Sequence, residues 1–166
     1  MDYNFQPSVP RDFNKQPVLI SGEESLKFSN TEYLVINDEV FEIRFRYFVG
    51  PFKEVVVTEN LIAVGYQDNF YLYNKIDKTT LLVIPLKGYF SSLHFHEQRF
   101  YVSDMEFLYC IEKSGKLLWQ SNSLAVDGVM IKDFTAQRIM VQAELDPPGG
   151  WKDFILNKKT GEIIKT

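Results

Sequence analysis

The chain is poor in the residues that most often announce a chemistry. It has one cysteine and two histidines among 166 residues. A lone cysteine closes no internal disulfide, and Cys110 stands in the apolar run Phe107-Leu108-Tyr109-Cys110-Ile111. A reactive thiolate needs an electropositive, accessible setting, so Cys110 reads as a buried structural thiol. Long apolar stretches are also missing. The longest, Leu81 to Leu86, is interrupted by Pro85 and falls far short of the ~20 residues that span a bilayer. Met1-Asp2-Tyr3-Asn4-Phe5 shows neither a basic nor an apolar leader segment, so no secretory signal is read there and a cytoplasmic location is expected. A basic excess is absent too: 18 Lys and Arg against 22 Asp and Glu give a net charge of −4. Such a chain gains little from counterion release or from anionic lipid, so neither nucleic acid nor membrane is expected as a partner. No Gly-x-Ser-x-Gly elbow and no phosphate-cradling glycine loop occurs.

What is present is aromatic and strand-forming. Phe 14, Tyr 9 and Trp 2 suit the half-buried faces of pleated sheets. No window of a dozen residues shows helical apolar spacing, whereas alternation of period two recurs. From Phe41 to Val49, residues Phe41, Ile43, Phe45, Tyr47 and Val49 share one face, and Glu42, Arg44 and Arg46 share the other. Short apolar runs then follow in three passes: Val55 to Ile84, Leu93 to Trp119, and Val129 to Ile164. Turn residues punctuate them at roughly eight to twelve positions, as in all-β meanders. Each pass reads as four strands over about forty residues, the length of a propeller blade. The expected fold is therefore all-β: repeated antiparallel four-stranded meanders, propeller-like, with little or no helix. Residues 1–17, with Pro7, Pro10 and Pro17, read as an extended N-terminal arm, and 18–166 as a single β domain.

The second and third passes end in related phrases. Glu112-Lys113-Ser114-Gly115-Lys116-Leu117-Leu118-Trp119 parallels Asn157-Lys158-Lys159-Thr160-Gly161-Glu162-Ile163-Ile164. Each places a hydroxyl residue before a glycine that can adopt φ > 0. Over residues 54–166 these turns resemble the repeats of quinoprotein-type β-propellers, which implies four-stranded blades. The chain departs from that family in number, because three passes are too few for propellers, which close with four to eight blades; either residues 18–50 supply a fourth, irregular one, or the sheets pack another way. Asp127-Gly128-Val129 with Glu144-Leu145-Asp146-Pro147-Pro148-Gly149-Gly150-Trp151 resembles a DG…E-DPPGGW pattern of small uncharacterised bacterial proteins, and that resemblance implies no activity.

Two candidate sites emerge. In the first, Pro147 and Pro148 fix φ, Gly149 and Gly150 permit a reversal, and Trp151 stands at the exit. Asp146, Pro147, Pro148, Gly149, Gly150 and Trp151 thus form a partly rigid binding loop carrying a residue type enriched in interface hot spots. In the second, His94-Phe95-His96 puts two imidazoles on one face of a strand, a pair able to meet one metal ion. Gly88, six positions before His94, gives this segment a likeness to the opening of the cupin metal motif. The third histidine of that motif has no counterpart in the chain, and a carboxylate such as Asp104 or Glu106 would have to complete the site. The leading expectation is a non-catalytic interaction protein with a protein partner, for example a bacterial immunity or inhibitor protein, and no cofactor. The alternative is a metal-dependent enzyme or carbohydrate-binding domain using a His94/His96 cleft.

Overall fold

In a computed structural model, which describes residues 2–165, the chain is nearly all β and forms four four-stranded sheets. Sheet 1 holds β1 (Tyr3–Gln6), β2 (Val18–Leu19), β3 (Asn30–Ile36) and β4 (Glu39–Phe45) in the order β1-β3-β4-β2. The other three are plain meanders. Sheet 2 is β5 (Lys53–Val57), β6 (Leu61–Tyr66), β7 (Asn69–Asn74) and β8 (Thr79–Pro85). Sheet 3 is β9 (Phe90–His96), β10 (Arg99–Asp104), β11 (Leu108–Glu112) and β12 (Leu117–Gln120). Sheet 4 is β13 (Val129–Phe134), β14 (Arg138–Glu144), β15 (Trp151–Asn157) and β16 (Ile163–Lys165). Pairing is antiparallel except where β2 runs parallel to β4. The helical content of the described residues is one 3-10 segment, Glu23–Lys27. No helix among the described residues is long and apolar enough to cross a membrane.

The fourth blade is therefore sheet 1, and it recruits part of the arm: Tyr3–Gln6 pair with Tyr33–Ile36 of β3. Pro10 and Phe13 line one cavity with Val35 and Val40 of sheet 1. The alternation read through Val49 outruns the strand. β4 ends at Phe45 because its partner β3 begins at Asn30, the residue opposite Phe45. Beyond that register Tyr47 and Val49 are 59% and 40% exposed, not part of a buried face.

Three buried clusters join consecutive sheets. Leu34, Phe41, Ile43 and Phe45 of sheet 1 meet Ile62, Val64, Tyr71 and Tyr73 of sheet 2. Ala63, Phe70 and Leu72 of sheet 2 meet Phe90, Phe100, Val102 and Ile111 of sheet 3. Tyr101, Cys110 and Trp119 of sheet 3 meet Val129, Ile139, Val141 and Leu156 of sheet 4. Alternate residues of β6 thus face opposite neighbours, which is why all of Leu61–Tyr66 is buried and reads as a continuous apolar run. Among the described residues no such cluster joins sheet 4 back to sheet 1.

The two glycine turns do the same job one sheet apart. Gly115 and Gly161 have φ of 86° and 74°, a region that L residues with a Cβ rarely enter. Gly115 sits against Leu81 of the preceding sheet, and Gly161 against the Trp119 ring. The Trp119 indole N–H donates to the Lys158 carbonyl at 3.2 Å, fastening the last strand of sheet 3 to the turn of sheet 4.

Candidate functional site

The first strands of sheets 2, 3 and 4, β5, β9 and β13, lie side by side. Along their edge opens a groove of about 500 Å³. Phe52 and Glu54 come from the start of β5, Tyr89 and His94 from β9 and the residue before it, and Asp127 from just before β13. Glu144 and Trp151 close the groove from the β14–β15 hairpin. The Phe52 and Tyr89 rings lie 6.1 Å apart, and Gly50 packs directly on Tyr89. The Tyr89 hydroxyl stands 2.8 Å from Asp127 Oδ1 and 3.1 Å from the Asp127 carbonyl, and it donates to them. Burial first, then the hydrogen bond to Asp127 and the charges of Asp127 and Glu144, push its pKa up to about 12. The phenol is thus a neutral donor at any ordinary pH.

Each carboxylate is placed by backbone. Glu54 Oε2 accepts the Leu93 N–H at 2.7 Å, tying β5 to β9. Glu144, largely buried, accepts the Gly149 N–H on Oε1 and so holds the proline-glycine loop in place. Its main chain bonds in both directions to the residues before β13, Glu144 N to the Gly128 carbonyl at 3.0 Å and Asp127 N to the Glu144 carbonyl at 3.3 Å. Gly128 has φ of 138°, and a Cβ there would stand 3.3 Å from Cη2 of Trp151. Only glycine combines that backbone with a tryptophan against it.

The two candidate sites read from the sequence therefore partly merge. Trp151 and His94 both line the groove. Asp146, Pro147, Pro148 and Gly149 are exposed and Gly150 half-buried; Gly150 N–H donates to the Asp146 carbonyl at 2.9 Å, which closes the loop. His96 points to the same side of β9 as His94 but lies flat on Phe134, with ring centroids 4.4 Å apart and planes 11° apart. Its Nε2 is 3.4 Å from Glu97 Oε1. Both imidazoles meet Phe134 of sheet 4 and are half-buried. Among the described residues no three His, Cys, Asp or Glu side chains gather as a metal site. Asp104 is committed elsewhere, to three backbone N–H groups and the Tyr109 hydroxyl. Cys110 is fully buried, and burial pushes its thiol up to about 11, which leaves little thiolate at neutral pH.

Sequence reasoning did not reach Phe52, Glu54 and Tyr89. The usable signal was the DG…E-DPPGGW pattern, because Asp127, Gly128, Glu144 and Trp151 converge on this groove from two chain segments.

His94 gives the groove a pH response. Burial lowers its pKa from the ordinary 6.5, with Glu54 opposing the shift. The folded chain then binds fewer protons here than the unfolded chain once the pH falls below about 6.5. Stability should decline as pH drops through that value and level off below the folded pKa. Urea midpoints measured from pH 7.5 to 5 should show this decline flattened in His94→Gln relative to the parent; equal slopes would show that His94 is not its source.

No protein-family model matches this chain, and none of the curated proteins matches it.

Proposed function

We propose that the chain is an interaction module that captures a protein partner by a cationic side chain, lysine or arginine, in the groove between β5, β9 and β13. The carrying observation is the chemistry of the lining. Three carboxylates (Glu54, Asp127, Glu144) and three aromatic rings (Phe52, Tyr89, Trp151) face one space, and no lysine or arginine lines it. His94, with its lowered pKa, adds no charge at neutral pH. A cation over aromatic faces with a carboxylate beside it is favourable, most of all where water is excluded. The flank supports a macromolecular partner. Phe48 is 73% exposed, and Tyr47, Val49 and Phe52 beside it are exposed as well. A run of exposed large apolar side chains next to a cleft is typical of protein-binding surfaces. An inhibitor or immunity protein acting on a basic target inside a bacterial cell is a concrete form of this role. The turns at Gly115 and Gly161 support reading the scaffold as kin to quinoprotein-type blades, with no quinone chemistry attached.

The test is a displayed random-peptide library panned on the purified chain. Enriched peptides should carry a Lys or Arg beside apolar residues. Their affinity should fall about tenfold in Glu54→Gln/Asp127→Asn, which keeps both hydrogen-bond acceptors but removes the charges. Enrichment of acidic or purely apolar peptides, or equal binding by the charge-removed variant, would overturn the reading.

A further inference from the structure

A second cleft, of about 590 Å³, opens at the rim between sheets 3 and 4, away from the groove. Three turns build it: β9–β10 with Glu97 and Arg99, β13–β14 with Gln137 and Arg138, and β15–β16 with Lys158 and Lys159. Its charge runs against the chain as a whole. Among the described residues four cations line it against one carboxylate, in a protein of net charge −4.

That carboxylate is already taken. Lys158 Nζ donates to Glu97 Oε2 at 2.8 Å and to the Thr135 carbonyl at 2.7 Å, with its side chain only 7% exposed. This pairing, with His96 adding to it, holds the Glu97 carboxyl below its ordinary range. Arg99, Arg138 and Lys159 form no ion pair among the described residues. Three cations without an ion pair thus line one concavity, with Glu112 opposite Arg99 across β10 and β11, and a bound anion would be attracted by all three.

The repeat shows how the cleft was furnished. Arg99 and Arg138 occupy the same position, the first residue of the second strand, each after a glutamine: Gln98-Arg99-Phe100 and Gln137-Arg138-Ile139. Sheet 2 has Asn60-Leu61 there, so the arginines occur in the two sheets that flank the cleft. The β15–β16 turn is also one residue longer than its counterpart in sheet 3. Arg99 pairs with Glu112, three before Gly115; Arg138 pairs with Asn157, four before Gly161. The longer turn contains Lys158 and Lys159.

We propose that this cleft is a binding site for a small organic phosphate. The guanidinium groups of Arg99 and Arg138 supply planar donors suited to phosphate oxygens, Lys159 adds a point charge, and Ile164 offers an apolar surface to the organic portion. The volume exceeds that of a phosphate ion alone and suits a phosphorylated sugar or nucleoside.

Inorganic phosphate, ribose 5-phosphate and a glutamate-rich peptide should be titrated into the full chain by calorimetry at low and at physiological salt. Ribose 5-phosphate is expected to saturate one site and to bind more tightly than phosphate. Affinity should fall at the higher salt, and about tenfold in Arg138→Gln/Lys159→Gln. Both substituted residues are solvent-exposed, so an unchanged thermal melt of the unliganded variant will show that the fold is intact. A Lys132→Gln control, exposed on β13 and outside the cleft lining, should bind as the parent does. Absence of saturable binding by either phosphate compound, binding unaffected by the double substitution, or binding of the acidic peptide alone would each overturn the proposal. None of these outcomes bears on the cation groove, whose residues are all different.

Discussion

Replacing Asp104 with alanine is expected to destabilise the fold by about 4 kcal/mol, since hydrogen bonds to a buried charge are worth about 1.5–3 kcal/mol each and their losses overlap. Asp104 is fully buried at the end of β10. Oδ1 accepts the N–H groups of Glu106 and Phe107 at 2.7 and 2.6 Å, and Oδ2 accepts the Lys87 N–H and the Tyr109 hydroxyl, both at 2.7 Å. One side chain thus shapes the β10–β11 turn and anchors the connection from sheet 2 into sheet 3. Alanine would leave four donors facing an apolar space. The Tyr109 phenol, raised well above its ordinary pKa by burial and then by Asp104, cannot escape by ionising. Urea unfolding should show a lower midpoint with an unchanged slope, and Asp104→Asn, which retains one good acceptor, should fall between alanine and the parent. A loss of less than about 1 kcal/mol for alanine would mean that water reaches these donors and that the network is not a determinant of stability.

Gly65→Ala should cost about 3 kcal/mol, the upper part of the range for forcing a methyl into a packed core. Gly65 lies near the end of β6, an inner strand of sheet 2, and a Cβ there would stand 2.0 to 2.4 Å from three atoms of the Phe90 ring. Phe90 opens β9 and is fully buried, and its N–H donates to the Gln67 carbonyl at 2.6 Å, so the ring is pinned at its root. The cause of the loss is one specific collision, and this can be checked. Phe90→Leu alone should destabilise by opening space, while Gly65→Ala/Phe90→Leu should be more stable than the sum of the two losses predicts. Additive losses in a double-mutant cycle would place the damage in the backbone of β6 and not at the seam between sheets 2 and 3.

Much of the fold was legible in the sequence because its signals are local. Alternation along β4, the turn residues between short apolar runs, and the paired Ser-Gly and Thr-Gly phrases each act within a few residues. The runs and their turns delimited sheets 2, 3 and 4. Sheet 1 was harder to read, because its edge strands come from opposite sides of the arm: β1 joins from before the proline-rich segment and β2, two residues long, from after it. The overextended strand to Val49 shows the limit of pattern alone. Alternation records which side chains are apolar, but a strand ends where its partner ends.

The candidate sites divide in the same way. Trp151 and the turn before it were visible because proline and glycine restrict backbone locally. His94 and His96 were visible because strand geometry puts i and i+2 on one face. Whether those faces met solvent, metal or another sheet depended on the stacking of sheet 4 on sheet 3, which laid Phe134 across both rings. Phe52 and Glu54 lie far in the chain from Tyr89 and from Asp127, and nothing in the local sequence of Phe52, Glu54 or Tyr89 marks them as neighbours of the loop.

By itself, the sequence determined the class of structure: short strands, their spacing and their turns, because period-two patterning and turn chemistry are properties of adjacent residues. The tertiary structure alone decided the chemistry of the surface. It gathered carboxylates and rings from three sheets into one groove, and unpaired cations from three turns into one cleft. Such convergence comes from the packing of whole sheets on one another, a property of no single segment.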